Sequence, residues 1–466
     1  MSSSSTTDPL STLHSLLLPD ERIPPGHADY TRYSATWASQ KQQHPRLIVR
    51  PKTAESLART IAYLYSTDLD FAIYGHGFMS TSAKDVLVNI SAFDDFHLDE
   101  VSECVTVGAG QTWMQVYQKL ENVAPGFAIV GARTPCVGVG GTIISGGFSY
   151  LSYEHGCISD PENLLDARVI KYDGSIVWAS AEPELLWALR GGGGGFGVII
   201  QIVIRAFKYP RHIWAGPILV PREKLDEVAT GIERFVSRPV DAKVTMLLYI
   251  VKKRVLESMK ADEDKNMLLL HVFDANGEEH GRSVFQWALD IPGAVDQTRV
   301  MSLVEVVGLQ DKIDTLKGSM RQFWAPICFK SITKDTVLRT VKWHDGLERI
   351  DPSLADCSYA ILELCNSCDP PTPSSVAWPR PPGMKHILVL ATGCPADAPE
   401  KEKAAHDCAA RAAGEILDKD ETPWYLPNLL EDFQQREMIW GPHFDKLQAL
   451  RRKYDPRGRF RGAIPV

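Results

Sequence analysis

Three stretches dense in glycine lie in the first half of the chain and constrain its fold more than any other feature. They are "YGHG" (74–77), "GVGGTIISGG" (138–147) and "GGGGGFG" (191–197). Glycine permits positive φ angles and lets several backbone N–H groups converge on an anion. One such cluster is typical of ordinary turns, but three clusters that bracket short strands favour a large cofactor with a pyrophosphate. The residues alone do not identify that cofactor.

The two most common phosphate-binding motifs do not fit these clusters. The third cluster satisfies G-x-G-x-x-G, but "VIIQIVIRAF" follows it with the pattern of a strand instead of a helix, which excludes a Rossmann dinucleotide site. No cluster ends in Gly-Lys-Ser or Gly-Lys-Thr, which excludes a P-loop.

Composition sets the class of protein. A chain of 466 residues is long enough for two domains or one elaborated domain. The net charge of -8 argues against a nucleic-acid or anionic-membrane partner and indicates a substrate that is neutral or bound by local features. The nine cysteines are scattered and odd in number, which argues against a disulfide scaffold. Cys365 and Cys368 have no second pair at zinc-site spacing, so no metal site is expected. The N-terminus lacks a basic leader and a long apolar run, which predicts a cytoplasmic protein without a signal peptide or membrane span.

Strand and helix patterns alternate along the first half. Short strands are predicted at "RLIVRP", "DFAIYG", "DVLVNIS" and "CVTVGAG", and helices at "TAESLARTIAYLYS", capped by Thr53, and at "TWMQVYQKL". A hairpin with an Asp173-Gly174 turn precedes the third glycine cluster. Strands and helices alternate irregularly between 211 and 420, and "CDPPTPSSVAWPRPPG" (368–383) is a loop inside that region.

The order of these pieces resembles berberine bridge enzyme-like oxidases of the vanillyl-alcohol oxidase (PCMH-type) flavoprotein superfamily. The match is carried by segments between residues 45 and 210 and by "IWGPHFDKLQALRRKYDPRGRF" near the C-terminus. The resemblance implies an α+β fold with an N-terminal extension (1–40), an FAD-binding domain (41–210), a central antiparallel-sheet substrate domain covered by helices (211–420) and a C-terminal segment that returns to the FAD domain (421–466).

The resemblance also assigns cofactor contacts residue by residue. The 74–80 loop would cradle the pyrophosphate, the 134–147 segment would line the flavin, and Val198 and Ile199 would contact it through the main chain. The expected cofactor-binding residues are Tyr74, Gly75, His76, Gly77, Phe78, Met79, Ser80, Thr134, Val137, Gly138, Gly140, Gly141, Thr142, Gly146, Gly147, Gly156, Asp160, Val198, Ile199 and Asn428.

Related proteins tether the flavin covalently, and here two alignments remain open. Without gaps, Phe78 occupies the position of the tethering histidine, Tyr74 replaces the usual arginine and His76 replaces a glycine. A two-residue slip would instead make His76 the tether. The second tether of many relatives is a cysteine, where this chain has Thr134, with Cys136 two residues later. The ungapped alignment predicts a noncovalent FAD.

Other departures concern the cofactor site and the catalytic residues. Pro161 and Glu162 lie between Asp160 and Asn163, which are adjacent in relatives, and Gly195 replaces a common asparagine. A Tyr-x-Asn motif of relatives is expanded to "WYLPNLLED", which offers Tyr425 as a candidate base, against the alternative of a packing role. His76 is the other catalytic candidate, against the alternative of a loop residue.

The resemblance predicts an FAD-dependent oxidoreductase that oxidises a hydrophobic secondary metabolite, with dioxygen as acceptor and with or without ring closure. Two alternatives stay open. One is a redox-neutral cyclase or isomerase on the same scaffold with a structural FAD or none, which the absent tethers favour. The other is a noncatalytic binding protein. The sequence identifies neither the substrate nor the oligomeric state.

Overall fold

The computed structural model describes residues 8–252, 267–365, 368 and 372–466. The serine-rich first seven residues and part of the proline-rich loop at 368–383 lie outside the described residues. Within the described part, helices combine with one mixed sheet and several antiparallel sheets, so the predicted α+β class is confirmed. The domain boundaries near residues 40, 210 and 420 stay predictions.

A small sheet near the N-terminus positions the first glycine-rich loop. Its strands run in the order β1-β2-β4-β3, where β2, β4 and β3 are parallel. The helix between β2 and β3 buries Leu57, Ile61 and Leu64, and its N-terminal N–H of Ser56 donates to Thr53 Oγ1, as predicted. The strands are β1 (Arg22–Ile23), β2 (Leu47–Val49), β3 (Phe71–Tyr74) and β4 (Val86–Asn89).

The other two glycine-rich stretches lie beside a five-stranded antiparallel sheet. The predicted hairpin is confirmed, with Gly174 at φ +83° in its turn. The strands, in the order β5-β6-β10-β8-β9, are β5 (Phe96–Asp99), β6 (Cys104–Gly108), β8 (Leu164–Ile170), β9 (Ile176–Trp178) and β10 (Val198–Arg205), while β7 (Phe127–Ala128) pairs separately with β11 (Phe207–Lys208).

A ten-stranded antiparallel sheet fills the centre of the chain. Its order is β15-β12-β14-β13-β19-β20-β18-β21, with β16 beside β12 and β17 beside β20. The strands are β12 (Ile213–Pro221), β13 (Val244–Val251), β14 (Met267–Asp274), β15 (Val295–Asp296), β16 (Arg299–Met301), β17 (Met320–Trp324), β18 (Ile327–Phe329), β19 (Tyr359–Leu364), β20 (His386–Pro395) and β21 (Trp424–Tyr425).

Helices cover the sheets and connect their strands. The central sheet packs against two of the longer ones, Lys334–Ile350 and Glu402–Ile416, which contact each other, and Leu225–Val236 packs against Lys334–Ile350. The remaining described α-helices are Pro9–Leu16, Tyr30–Ser34, Ala54–Ser66, Trp113–Val123, Val139–Ile143, Ser152–His155, Pro183–Leu189, Glu278–Val284, Gln286–Leu289, Leu303–Gly308, Pro352–Asp356, Arg436–Trp440 and Phe444–Tyr454. None of the helices in these described ranges is long and apolar enough to cross a bilayer.

The C-terminal segment returns to the first part of the chain, as predicted. The helix Phe444–Tyr454 packs against Pro183–Leu189. Trp440 Nε1 donates to the carbonyl of Gly191 at 2.9 Å, and Ala463 N donates to that of Gly193 at the same distance. The third glycine cluster is therefore held by the end of the chain.

Candidate active site

A cavity of about 550 Å³ lies where the glycine-rich loops meet the central sheet. We call its loop-built side the glycine wall, formed by residues 75–79, 138, 140–142 and 193–199. We call its strand-built side the sheet wall, formed by Tyr249, Tyr359, Ile361, Glu363, Ile387 and Val389. The cavity therefore brings together the first and central parts of the chain.

Glycine is the most frequent residue of the glycine wall. Gly75 and Gly141 leave open space where a side chain would begin, because no protein atom lies within 4 Å of a Cβ built on either residue. A side chain there would project into the cavity. The glycines that line the cavity are Gly75, Gly77, Gly138, Gly140, Gly141, Gly147, Gly193, Gly194, Gly195, Gly197 and Gly462.

The 74–80 loop begins at the end of β3 and forms one part of the glycine wall. The main-chain N–H groups of residues 75–79 donate to no acceptor among the described residues. Gly77 has φ +71°, and a Cβ there would collide with the carbonyl of Ala35, so this position requires glycine. Consecutive free N–H groups on a concave loop are a typical anion-binding arrangement.

His76 lines the cavity and is also held by the protein. Its Nε2 lies 2.8 Å from the carbonyl oxygen of Gly110, to which it donates as a neutral imidazole. Its ring lies 3.0 Å from the position that a Cβ on Gly138 would take. Burial lowers the pKa of His76 below its usual value, which favours the neutral form. His76 thus connects the first glycine cluster to the second.

The two expected tether positions both line the cavity. The Phe78 ring lies 4.7 Å from the ring of Trp37, and Thr134 is buried on the cavity wall. Neither side chain provides a nucleophilic nitrogen or sulfur. Cys136 does not line the cavity, and burial raises the pKa of its thiol to about 12. The cysteine is therefore a protonated thiol.

Gly195, which replaces the common asparagine, is explained by its neighbour Arg451. Gly195 has φ +89°, and a side chain on it would occupy the space of the Arg451 guanidinium. That guanidinium donates to the carbonyls of Gly195, Phe460 and Ile464 and pairs with Asp455 at 3.0 Å. The arginine thus fills the space that a larger residue would need.

The sheet wall follows from strand register. Tyr249 on β13, Ile361 on β19 and Val389 on β20 lie directly opposite one another across three paired strands. Because side chains alternate between the two faces of a strand, Tyr359 and Glu363 lie on the same face of the sheet as Ile361. Apolar side chains thus surround one carboxylate.

Glu363 forms a buried ion pair with Arg133. The Glu363 side chain is 2% exposed and that of Arg133 is 15% exposed, and both residues line the cavity. Arg133 precedes the 134–147 segment, so the pair joins that segment to the sheet wall. Among the cavity-lining residues, Glu363 is the only carboxylate and His76 the only imidazole.

Neutral polar side chains of Gln310, Tyr249 and Tyr359 also line the cavity. Gln310 Nε2 donates to the hydroxyl of Tyr249 at 3.1 Å and approaches that of Tyr150 at 3.3 Å. Trp324 Nε1 donates to the hydroxyl of Tyr359 at 3.2 Å. Burial raises the pKa of Tyr249 and of Tyr359, so both hydroxyls stay protonated.

Five predicted site residues lie away from the cavity lining: Ser80, Gly146, Gly156, Asp160 and Tyr425. Ser80 Oγ accepts from the N–H of Ala38, and Asp160 binds both terminal nitrogens of Arg380 at 2.7 and 2.8 Å. Tyr425 pairs with Ile327 in the central sheet, and burial raises its pKa, which makes its hydroxyl harder to ionise.

Asn428 lines the cavity three residues after Tyr425. Its Oδ1 is buried and has no hydrogen-bond partner among the described residues, so it is available to a bound molecule. The other predicted cofactor-binding residues also line the cavity, namely Tyr74, Gly75, His76, Gly77, Phe78, Met79, Thr134, Val137, Gly138, Gly140, Gly141, Thr142, Gly147, Val198 and Ile199.

Five residues of the cavity lining were not predicted from the sequence: Glu363, Arg133, Tyr249, Gln310 and Tyr359. One signal was present for Glu363, because "SYAILEL" places a single charged residue in an otherwise apolar strand. Arg133, Tyr249 and Gln310 carry no comparable local signal, since strand pairing and loop packing bring them together.

The residues present fit FAD. The glycine wall provides free N–H groups and space for a diphosphate, and Asn428 provides an unpartnered polar atom. The apolar sheet wall suits an aromatic ring system. In the described ranges no group of three or more His, Cys, Asp or Glu side chains could hold a metal ion.

Comparisons with known proteins agree with this fit. Residues 45–180 match the family described as FAD binding domain. The chain is 30% identical to the FAD-dependent monooxygenase prx3 of Penicillium roqueforti over 222 residues, which cover 46% of this chain and 42% of that protein. It is 28% identical to berberine bridge enzyme-like D-2 of Nicotiana tabacum over 246 residues, 51% of this chain and 40% of that protein. Both matches span less than half of those relatives.

The likeness in fold extends over the whole chain. A solved variant of berberine bridge enzyme, described as a reticuline dehydrogenase, superposes with a TM-score of 0.79 at 17% identity, covering 98% of this chain and 99% of that one. Residues 45–180 therefore form an FAD-binding domain, and the chain has the fold of berberine bridge enzyme-like flavoproteins.

Proposed function

We propose that this chain is an FAD-dependent oxidoreductase that holds FAD without a covalent bond and oxidises a largely apolar small molecule. The observation that carries the proposal is one continuous cavity with free N–H groups on the glycine wall and a single carboxylate on the sheet wall. We further propose dioxygen as the electron acceptor and accept ring closure as one form of the oxidation.

Each wall has its own task in this proposal. When bound, FAD supplies an acceptor for two electrons. The N–H groups of the 74–80 loop and the Oδ1 or amide of Asn428 hold the cofactor. The side chains of Ile361, Ile387 and Val389 exclude water from the substrate.

Glu363 is the group that takes a proton from the substrate. Its carboxylate is on the cavity wall, where Arg133 holds one of its oxygens, Oε1, and fixes its position. The pair is neutral overall, which favours a neutral substrate with one O–H or N–H group over a charged one. Gln310 orients the Tyr249 hydroxyl on the same wall of the cavity.

The first experiment is a visible absorption spectrum followed by acid precipitation. We expect an oxidised flavin spectrum and release of the yellow colour to the supernatant, because Phe78 and Thr134 cannot form a tether. Colour that stays in the pellet would contradict noncovalent binding and point to His76 as the tether. A colourless protein that takes up no added FAD would contradict the whole proposal.

The second experiment separates oxidation from redox-neutral chemistry. The holoprotein is mixed without oxygen with a panel of apolar phenols and secondary amines, and then oxygen is admitted. We expect a productive compound to bleach the flavin and hydrogen peroxide to form on aeration. Conversion of a compound while the flavin stays oxidised would support the cyclase alternative, which the missing tethers favour.

A further inference from the structure

Lys317 brings a positive charge from the central part of the chain to the 74–80 loop. Its Nζ donates to the carbonyl oxygen of His76 at 2.8 Å and lies 3.4 Å from the hydroxyl of Tyr74. That hydroxyl donates in turn to the carbonyl of Ala35 at 2.7 Å. Lys317 does not line the cavity, so it acts on the loop from behind.

A second contact holds the next peptide of the same loop. The N–H of Trp37 donates to the carbonyl of Gly77 at 2.9 Å. The N–H of Gly318, which follows Lys317, donates to the carbonyl of Trp37 at 2.9 Å. The loop, the segment around Trp37 and the central part of the chain are thereby joined in one set of contacts.

These contacts determine where the loop N–H groups point. A trans peptide holds its C=O and N–H on opposite sides, and the described residues contain no cis peptide. The His76 carbonyl points to Lys317 and the Gly77 carbonyl to Trp37, so the following N–H groups, of Gly77 and Phe78, point the other way. Both residues line the cavity, and both N–H groups lack a protein acceptor in the described ranges.

We propose that Lys317 is a positioning residue for the FAD diphosphate. By binding the His76 carbonyl it turns the Gly77 N–H toward the cavity, where successive N–H groups bind an anion. Tyr74, at the start of the loop, carries no charge, and Lys317 brings a positive charge from another part of the chain. This inference rests on the noncovalent FAD of the proposed function.

The consequence is that cofactor retention depends on the docking of the central part of the chain. The peptide orientation of the 74–80 loop is fixed by a residue more than two hundred positions away, since the Lys317 and His76 contact spans 241 residues. A loop without this contact would have to order its N–H groups when FAD binds, which weakens binding.

The test measures equilibrium binding to the apoprotein by quenching of flavin fluorescence, with FAD and with riboflavin, which lacks the diphosphate. We expect Lys317→Met to raise the Kd for FAD about tenfold, equivalent to ~1.4 kcal/mol, and to leave the Kd for riboflavin within about twofold. Lys317→Arg keeps a donor and should restore most of the FAD affinity. Lys312→Met, at an exposed lysine of the preceding turn, is the matched control and should change neither value.

Three results would overturn the proposal. They are an unchanged Kd for FAD, an equal weakening of FAD and riboflavin, and a wild-type flavin that stays with the acid-denatured chain. If the methionine variant does not fold, Lys317→Gln replaces it in the same comparison. Because the readout is binding, a failure of the proposed oxidation would leave this result standing.

Discussion

Glu363 combines three properties that single it out among the residues of the site. Its side chain is buried at 2% exposure, its partner is an arginine from the FAD-binding domain, and it is the only carboxylate among the cavity-lining residues. A buried carboxylate without a partner of opposite charge destabilises the folded state. Arg133 lowers that cost and holds the carboxylate at the cavity wall.

We expect Glu363→Gln to lower the rate of flavin bleaching by the substrate by about 10²-fold or more, the usual contribution of a general base. Glutamine keeps the size and can still accept from Arg133, but it cannot take a proton. The measurement is stopped-flow absorbance without oxygen. Glu279→Gln, at an exposed glutamate of the helix Glu278–Val284, is the control and should react like the wild type.

An equal rate in the Glu363→Gln variant with FAD bound would remove Glu363 from the proton transfer. His76, the imidazole of the cavity lining, would then be the next residue to test as the base.

His76 has a structural task that does not require it to move a proton. Its ring Nε2–H donates to the Gly110 carbonyl, its main-chain carbonyl accepts from Lys317, and its ring packs against Gly138. Such contacts favour the loop-residue interpretation of His76 over the catalytic one.

We therefore expect His76→Gln to keep turnover within about threefold of wild type, because the glutamine amide can donate to the Gly110 carbonyl in place of Nε2. Steady-state kinetics and acid precipitation of the same preparation give both readouts. A loss of about 10²-fold would instead support acid-base catalysis. Colour in the wild-type pellet that disappears in the variant would make His76 the tether.

At the scale of elements, the sequence predicted what is local. The helix capped by Thr53, the hairpin at Gly174 and the glycine-rich loops all have signals within a few residues, and all three are present. The register of the central sheet has no local signal: Glu363 lies opposite Leu247 on β13 and Ile387 on β20. A one-residue shift would turn Glu363 to the other face, so its place in the cavity could not be predicted.

The motif near the C-terminus shows the same limit. The expanded "WYLPNLLED" was expected to bring Tyr425 and Asn428 to the flavin, but only Asn428 lines the cavity. Tyr425 instead belongs to β21, and its main chain pairs with β18 in the central sheet. Which of two neighbouring polar residues faces a site depends on this pairing.

The C-terminal helix holds the third glycine cluster through Arg451, whose side chain is 3% exposed. We expect Arg451→Met to lower the free energy of unfolding by about 3–5 kcal/mol, because the buried Asp455 carboxylate would lose the positive charge of its arginine partner. Urea unfolding gives this value. Arg452→Met, at the exposed neighbouring position, should change stability by less than about 0.5 kcal/mol.

Arg451→Met should also bind FAD more weakly, since Gly195 lines the cavity and loses its contact with the Arg451 guanidinium. If Arg451→Met has the same free energy of unfolding as the Arg452→Met control, the packing of the C-terminal segment does not depend on the Arg451–Asp455 ion pair.

At the scale of the whole molecule, burial makes several histidines sensitive to acid. Burial lowers the pKa of each of them to about 4. Below pH 6.5 the unfolded chain takes up protons at these positions while the folded chain does not, so stability falls as the pH falls. The loss ends near pH 4, where the folded state is protonated as well. These histidines are His155, His271, His344 and His386.

His386 provides the sharpest test of this effect. Its Nδ1 accepts a hydrogen bond from the N–H of Cys365 at 3.1 Å, which a protonated ring cannot do. The shift of its pKa from 6.5 to about 4 corresponds to a stability loss of up to ~3 kcal/mol between those pH values. Asparagine at this position offers an acceptor that does not titrate.

We expect His386→Asn to have a smaller loss of unfolding free energy between pH 6.5 and about 4 than the wild type, measured by urea unfolding at several pH values. His97→Asn, at an exposed histidine on β5, is the control and should keep the wild-type slope. The comparison depends on the change with pH, so a constant packing cost in the variant does not affect it. A slope equal to that of the control would mean that the folded protein protonates His386 as readily as the unfolded chain does, and that the main chain at Cys365 does not depend on a neutral ring.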